Sequence, residues 1–101
     1  MIARIWHGVT PASKADEYAD YLNETGLPDY RETEGNRGVY LLRRIEGDRA
    51  HFLTLTFWDS TKAIRRFAGP DIENARYYPE DAAFLVELEP FVEHFEVLFA
   101  L

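Results

Sequence analysis

The segment GNRGVYLLRRIEGDRAHFLTLTFWDSTKAIRRF, Gly35–Phe67, decides the fold of this chain. Two runs rich in aromatic and β-branched residues, Val39–Leu42 and Phe52–Trp58, flank a Glu46–Asp48 segment whose central glycine tolerates a positive φ angle. This arrangement predicts a β-hairpin. Asp59-Ser60 follows the second run and predicts the N-cap of a helix.

The second strand of this hairpin has two unlike sides. Leu53, Leu55 and Phe57 alternate with Thr54 and Thr56, and successive side chains of a strand point to opposite faces. One side is therefore wholly apolar and the other is mixed. We expect the two sides to face different surroundings.

Hydrophobic periodicity predicts further elements on both sides of the hairpin. We predict strands at Ile2–Val9 and Phe91–Phe99, and helices at Ser13–Glu24, Pro28–Tyr30 and Ala63–Ala68. In the first of these helices, Ser13 and a carboxylate three residues later resemble a capping box.

Residues 71–85 predict further short helical turns. Asp71 can cap a helix that carries Ile72, Ala75 and Tyr78, and Pro79–Leu85 can form one more turn. The resulting order is strand, helix, strand, strand, helical region and strand. It predicts a single α+β domain over residues 1–101, of ferredoxin-like split βαβ type.

A ferredoxin-like domain carries its helices on one face of a four-stranded antiparallel sheet in the order 4-1-3-2. Within that sheet we expect strand 4 to run antiparallel to strand 1, and strand 3 to run parallel to strand 1. The other sheet face has no cover within the chain. From the strand phases we expect Trp6, Tyr40, Phe52 and Trp58 to lie on it. Aromatic residues make up 15% of the sequence, and a small core has room for only a few such rings. Such a face predicts a homodimer packed sheet on sheet.

Composition excludes several classes of partner and site. A net charge of −7 argues against binding to nucleic acid or to anionic membranes, and no apolar run approaches the roughly 20 residues of a membrane span. The chain has no Cys, which excludes thiolate metal ligands and suits a cytoplasmic protein. Sequence motifs of dinucleotide, nucleotide, serine-hydrolase and zincin sites are absent.

The chain resembles the antibiotic biosynthesis monooxygenase family of dimeric α/β barrels. The residues that carry this resemblance are Glu34–Arg43, Phe52–Ser60 and Ala63-Ile64, together with the opening strand Ile2–Ile5 and the closing pair Val97-Leu98. The resemblance implies the fold, a homodimer, and a mostly apolar pocket between helices and sheet. Proteins of this superfamily also include haem-degrading enzymes, isomerases and proteins without an assigned activity, so the fold does not choose the reaction.

The resemblance implies a cofactor-independent monooxygenase-like activity on a small aromatic, phenolic or quinol-type compound. In such a reaction a base deprotonates the substrate, and the electron-rich anion reacts with dioxygen without flavin or metal. The alternative is a non-catalytic, ligand-binding homodimer. Haem binding is a weaker alternative, because the positions that hold Asn, Trp and the haem-ligating His in haem-degrading members hold His7, Phe67 and Tyr77 here.

Three histidines are candidates for chemistry. In the strand arrangement expected above, His7 and His94 lie near each other, while His51 lies at the opposite end of the sheet, about 13 Å away. This spacing argues against a three-histidine metal site. We assign the catalytic positions to His7, as the base, and to His94; the alternative is a solvated cross-strand pair.

Arg76-Tyr77-Tyr78 is the most unusual run of the sequence. These residues can form a lid in which the rings stack on a planar substrate while Arg76 holds an anionic group. Phe67 and Trp58 complete the candidate substrate-binding set. The alternative is structural: the tyrosines seal the helices against the sheet, and Trp58 packs in the core or in a dimer interface.

Overall fold

Four antiparallel strands form one sheet in this computed structural model, which describes residues 1–101. The strands are β1 (Ile2–Pro11), β2 (Asn36–Glu46), β3 (Arg49–Trp58) and β4 (Glu93–Glu96). Their order across the sheet is β2-β3-β1-β4, which confirms the predicted order 4-1-3-2 and the ferredoxin-like fold.

The predicted direction of the third strand is wrong. β3 runs antiparallel to β1, with Ile2 opposite Trp58 and Pro11 opposite Arg49. The physical reason is that each βαβ crossover makes its own two strands parallel and leaves one strand between them. That middle strand hydrogen-bonds to both neighbours in the opposite direction. The start of β3 therefore lies beside the end of β1.

Four helices connect the strands: α1 (Ala15–Glu24), α2 (Gly26–Glu32), α3 (Thr61–Ala68) and α4 (Asp81–Phe84). The Ser60 side chain accepts a hydrogen bond from the Ala63 backbone N–H at 3.2 Å, which confirms the predicted cap of α3. The predicted cap at Ser13 is wrong, because a 3₁₀ turn at Ala12–Lys14 precedes α1 and no side chain caps that helix.

The helix predicted from Asp71 to Tyr78 does not form. The Ala75 N–H instead donates to the Pro90 carbonyl, and Asn74 forms a β-bridge with Phe91. These backbone bonds hold the segment extended beside the chain that leads into β4. Because Phe91 takes part in that bridge, the regular pairing of β4 covers only Glu93–Glu96 instead of the predicted Phe91–Phe99.

We call the helix-covered side of the sheet the inner face and the other side the outer face. The inner face holds Trp6, Phe52 and Trp58, which are at most 6% exposed. Their predicted place on the uncovered face is wrong, because the helices bury the strand positions with the largest rings. Only Tyr40 of the four predicted aromatic residues lies on the outer face, where it is 57% exposed.

The outer face is nevertheless apolar. The apolar side of β3 lies there, as the alternation of its residues predicted, and neighbouring strands add further apolar side chains. The apolar residues of this face are Ala3, Ile5, Val9, Tyr40, Leu42, Leu53, Leu55, Phe57 and Phe95. None of the helices has the length and apolar character that a membrane crossing requires.

Candidate functional site

The mixed side of β3 creates a gap in the middle of the inner face. Phe52 and Trp58 occupy its two ends, and the smaller Thr54 and Thr56 occupy its centre. The rings at the ends belong to two separate clusters of buried apolar residues. The short hydroxyl side chains leave room between these clusters, and the candidate site lies in that room.

We call this space the slot. Its wall contains Arg4, Trp6, Tyr18, Leu22, Gly26, Leu27, Tyr30, Thr54, Phe67, Arg76, Tyr78 and Asp81. The cavity that remains between these side chains has a volume of ≈ 20 Å³. A single water needs roughly 10–15 Å³ on this measure, so the slot is closed in the present conformation.

Phe67 is the centre of the slot wall. Its ring stacks on Tyr30 with 4.2 Å between ring centroids and 22° between ring planes. The guanidinium carbons of Arg76 and Arg4 lie 4.8 Å and 5.5 Å from the same centroid. Rings and guanidinium planes of this kind are the surfaces on which proteins bind flat ligands.

A second group closes the slot towards solvent. Asp29 on α2 accepts a hydrogen bond from Arg76 at 3.2 Å and another from the Tyr78 hydroxyl. Arg76 also donates to the Phe67 carbonyl at 3.1 Å and lies over the Tyr78 ring. Burial, followed by the hydrogen bond to Asp29, raises the pKa of Tyr78. These contacts bind the non-helical segment after α3 to α2.

Arg4 lies at the bottom of the slot, at the centre of the sheet. It is 1% exposed, and its Nη2 donates to the Asn74 carbonyl at 3.0 Å. Its Nε is buried without a hydrogen-bond partner, and no carboxylate pairs with it. Burial lowers the pKa of the Arg4 guanidinium, while the nearby Tyr30 hydroxyl opposes that shift.

Asp81 is a second buried ionisable residue of the slot wall, with 3% exposure. One of its oxygens accepts a hydrogen bond from the Tyr18 hydroxyl at 2.9 Å, and the other accepts from the Tyr78 backbone N–H at 2.5 Å. Burial, followed by the charge of Asp81, raises the pKa of Tyr18. These bonds attach α4 to α1 and compensate the buried carboxylate.

His94 lies on β4 directly opposite Arg4 and on the same face of the sheet. Paired side chains of this kind have Cβ atoms about 4.5–5.5 Å apart. The His94 Nε2 atom is buried and has no hydrogen-bond partner. Burial, followed by the positive charge of Arg4, lowers the pKa of the imidazole, so His94 is neutral at neutral pH.

His7 lies on the outer face, away from the slot. Its Nδ1 contacts Glu89 Oε2 at 2.6 Å, and its Nε2 contacts His51 Nδ1 at 3.1 Å. The predicted pairing of His7 with His94 and the predicted distance to His51 are therefore wrong. The antiparallel direction of β3 is the reason, since it brings His51 beside the end of β1 and leaves His94 three residues away from His7.

Tyr77 also lies away from the slot. Its hydroxyl donates to the Glu89 carbonyl at 2.5 Å and accepts a hydrogen bond from Trp6 Nε1 at 3.4 Å. The Trp6 indole in turn covers Gly8, where a Cβ atom would lie 2.4 Å from the ring. Gly8 is thus the residue that lets Trp6 lie flat along the strand and reach Tyr77.

The structure brings together only part of the predicted site. Phe67, Arg76 and Tyr78 line the slot, and Trp58 packs behind Phe67 at 5.9 Å between ring centroids. Whether any of these residues, His7 or His94 acts in binding or catalysis stays a prediction. No group of three or more His, Cys, Asp or Glu side chains is arranged to hold a metal ion.

Sequence reasoning missed nine of the twelve residues of the slot wall, among them Arg4, Tyr30 and Asp81. Arg4 carried a usable signal, because its strand position shares a face with Trp6 and is therefore buried when Trp6 is buried. A buried charge in the middle of a strand needs a partner, and this marks it for attention. Tyr30 and Asp81 carried no such signal, since each lies two residues after a proline in a weakly periodic segment.

No protein-family model matches the chain, and no curated protein matches it. Solved structures do. The heme-degrader MhuD from Mycobacterium tuberculosis, solved with two hemes bound in its active site, is similar at 23% identity and a TM-score of 0.66, over 100% of this chain and 99% of that chain. An MhuD mutant with two manganese protoporphyrin IX bound per active site is also similar. It is 23% identical, with a TM-score of 0.67 over 100% of this chain and 98% of that chain.

A protein of unknown function from Nitrosomonas europaea has the same fold. It is 17% identical, with a TM-score of 0.68 over 98% of this chain and 90% of that chain. These structures confirm the fold that the resemblance implied, a four-stranded antiparallel sheet with helices on one face. At such identities they show the fold alone.

Proposed function

We propose that the chain is a monooxygenase-like protein that binds a small aromatic, phenolic or quinol-type compound in the slot. The observation that carries this proposal is the arrangement around Phe67, where a stacked tyrosine and two guanidinium groups surround one ring. A flat ligand can take the place of one ring or guanidinium group in this stack. It would then lie between aromatic and guanidinium surfaces, as that group does now.

The slot must open before such a ligand can enter, because its present volume holds about one water. The cover is the segment that carries Arg76 and Tyr78, and both side chains are held through Asp29. Arg76 and Asp29 are 38% and 37% exposed, so solvent competes for this pair. Loss of these bonds releases the Arg76 and Tyr78 side chains from α2, while backbone hydrogen bonds of Ala75 and Tyr78 still hold the segment in place.

The proposed reaction transfers one oxygen atom from dioxygen to the substrate. Removal of a proton from the phenol gives an electron-rich anion, and a ring carbon of that anion forms a C–O bond with dioxygen. The resulting peroxide loses water, so a phenol and one O₂ give a quinone and one H₂O. Electrons and atoms balance without a flavin or a metal, and the protein supplies a dry site and a proton acceptor.

His94 is the proton acceptor that we propose for this reaction. It does not line the slot itself, but it lies on the inner face opposite Arg4 of the slot wall, and its Nε2 has no hydrogen-bond partner. Burial and the charge of Arg4 lower its pKa. His7 does not meet this requirement for a ligand in the slot, because the sheet separates them.

Oxygen consumption tests this proposal directly. The protein is mixed in air with a panel of anthrones and dihydroquinones, and the rate is compared for wild type, His94→Gln and His7→Ala. We expect at least a tenfold loss in His94→Gln, since a general base contributes about 10²–10⁴-fold, and no loss in His7→Ala. No acceleration by the wild type contradicts the enzyme proposal. A loss confined to His7→Ala places the base on the outer face.

Ligand sequestration without reaction is the second candidate function. The composition of the slot wall favours it, because no histidine lines the slot to act as a general base. Binding of the same panel, followed by quenching of tryptophan fluorescence, without oxygen consumption supports this alternative.

The residues do not fit the heme that the MhuD structures contain. Tyr77 occupies the position at which the resemblance places the haem-ligating His, and its hydroxyl is bonded to both Glu89 and Trp6. Arg76 and Tyr78 close the space above Phe67. We therefore derive no step that involves heme, and we expect a titration with hemin to give no Soret shift of a ligated iron.

We propose that the protein forms a homodimer through its outer face. The apolar side chains of that face lie side by side on all four strands, and no helix of the chain covers them. Tyr40, Leu42 and Phe95 are 57%, 43% and 51% exposed there. A contiguous apolar surface of this kind on a small domain is stabilised by a second sheet packed against it.

A further inference from the structure

Arg4 is the one charged side chain of the slot whose charge is not compensated. Arg76 pairs with Asp29, and the carboxylate of Asp81 accepts two hydrogen bonds. Arg4, in contrast, has one hydrogen bond to a backbone carbonyl and a buried Nε without a partner. Among the buried side-chain nitrogens and oxygens of the whole chain, only the Arg4 Nε and the His94 Nε2 lack a partner.

A buried guanidinium without an anion is costly. Arginine keeps its proton in proteins, so it cannot avoid the cost by becoming neutral. The usual solution is a carboxylate or another anion within hydrogen-bond distance. None of the carboxylates of the chain supplies this at Arg4, and the neighbouring Tyr30 and Thr54 hydroxyls are neutral and bonded to each other at 3.2 Å.

The surroundings of Arg4 indicate the kind of group that is missing. The guanidinium carbon lies 5.5 Å from the centroid of the Phe67 ring, and that ring stacks on Tyr30. An anion that reaches Arg4 once the slot has opened therefore meets an aromatic surface, which favours an anionic oxygen attached to a flat ring.

We propose that Arg4 binds the phenol oxygen of the ligand and stabilises its phenolate form, so that loss of the phenol proton in the slot leaves an anion paired with Arg4. This inference rests on the proposed function, since both place an aromatic compound in the slot, and it adds the charge state and the residue that recognises it. A charge-assisted hydrogen bond from Nε to an oxyanion is stronger than one to a neutral hydroxyl. The buried Asp81 opposes a second negative charge in the slot, which favours a monoanion.

The test uses 4-nitrophenol, whose phenolate has its own visible absorption band, and 4-nitroanisole, a neutral analogue in which a methyl group replaces the acidic proton. At a pH one unit below the free pKa of 4-nitrophenol, we expect binding to increase the phenolate band. An opposite charge within 4–6 Å lowers a pKa by about 1–3 units, so the phenolate should bind about 10- to 1000-fold more tightly than the neutral phenol.

The variant Arg4→Met removes the charge and keeps a long side chain. We expect it to bind 4-nitroanisole as the wild type does and to lose the increase in the phenolate band. Arg65→Met, on the exposed side of α3, is the matched control and should behave as wild type. A phenolate band that persists in Arg4→Met overturns the inference.

The outcomes separate this inference from the proposed function. If neither compound binds to the wild type, the proposed function fails and the inference fails with it. If both bind equally and the phenolate band does not grow, only the inference fails. If Arg4→Met does not fold, the test is the NMR chemical shift of the Arg4 Nε–H proton in the wild type, measured with and without each compound. A shift with 4-nitrophenol but not with 4-nitroanisole supports the inference, and the absence of a shift overturns it.

Discussion

The two faces of the sheet use the same strands for different tasks. On the inner face, buried rings surround a polar centre that contains Arg4 and two threonines. On the outer face, half-exposed leucines and phenylalanines lie beside the contacts of His7 with His51 and Glu89. The inner face is complete within the chain except for one charge, while the outer face lacks an entire cover. This difference is the reason that we propose a ligand for the inner face and a second copy of the chain for the outer face.

The largest expected effect is the loss of unfolding free energy when an aromatic ring is removed from the inner face, compared with the outer face. Trp58 and Phe57 are neighbours in sequence, and only Trp58 lies on the inner face, with 0% exposure. Trp58→Ala should lose about 3–5 kcal/mol of unfolding free energy at every protein concentration, because it leaves a cavity. Phe57→Ala should lose less, by an amount that depends on concentration through the dimer. Urea unfolding at two protein concentrations measures both, and equal losses in the two variants would refute the distinction.

The next effect concerns self-association. Leu55 lies at the centre of the outer face, opposite Ile5 on one side and Tyr40 on the other. Leu55→Glu should raise the dimer Kd by about 100-fold, or about 2.7 kcal/mol, because it places a charge in the apolar interface. Sedimentation velocity at micromolar concentration should show a monomer. Ala82→Glu introduces the same charge on exposed α4 and should remain dimeric; a wild type that is itself monomeric would remove the basis of the dimer proposal.

A smaller effect tests the polar contacts of the inner face. Tyr18→Phe removes a donor from the buried carboxylate of Asp81, and this should cost about 1–3 kcal/mol of unfolding free energy. Tyr21→Phe is the control, because the Tyr21 hydroxyl accepts an exposed hydrogen bond from Glu80 and its loss should cost about 0.5 kcal/mol or less. Thermal unfolding of both variants measures the difference. Similar values would show that the Asp81 contact does not contribute to stability.

The smallest effect is the acid dependence due to His94. Its pKa in the folded chain is lower than the ordinary value of 6.5, so the unfolded chain binds more protons in the interval between the two values. Stability from this group is therefore fully present above pH 6.5 and is lost as the pH falls through the lower, folded pKa. His94→Gln should show a flatter acid limb than wild type in unfolding measurements from pH 7 to pH 4. Parallel curves would contradict the burial of a neutral His94.

Local patterns predicted the parts of the fold that depend on neighbours in sequence. The hairpin follows from two strand-forming runs around Gly47, and the start of α3 follows from Ser60. The helix expected at Asp71 failed for the opposite reason. Its backbone found partners on a segment about 15 residues further along the chain, between Ala75 and Pro90, and no local pattern reveals such a partner.

In the candidate site, too, the sequence predicted some residues, whereas the contacts between remote segments appeared only in the structure. The sequence marked Phe67, Arg76 and Tyr78 as unusual residues, and they meet at the slot. It could not show that Asp29 pairs with Arg76 and leaves Arg4 without a partner, because these residues come from separate elements.

The sequence by itself determined the order of the elements, the two-sided character of β3 and the surplus of apolar side chains, since these depend on composition and on period along one strand. Only the tertiary structure decided which side the helices cover, which histidines meet and which charge stays unpaired. The physical reason is that these properties depend on distances between segments remote in sequence. Strand direction and packing set those distances together, and no residue specifies them alone.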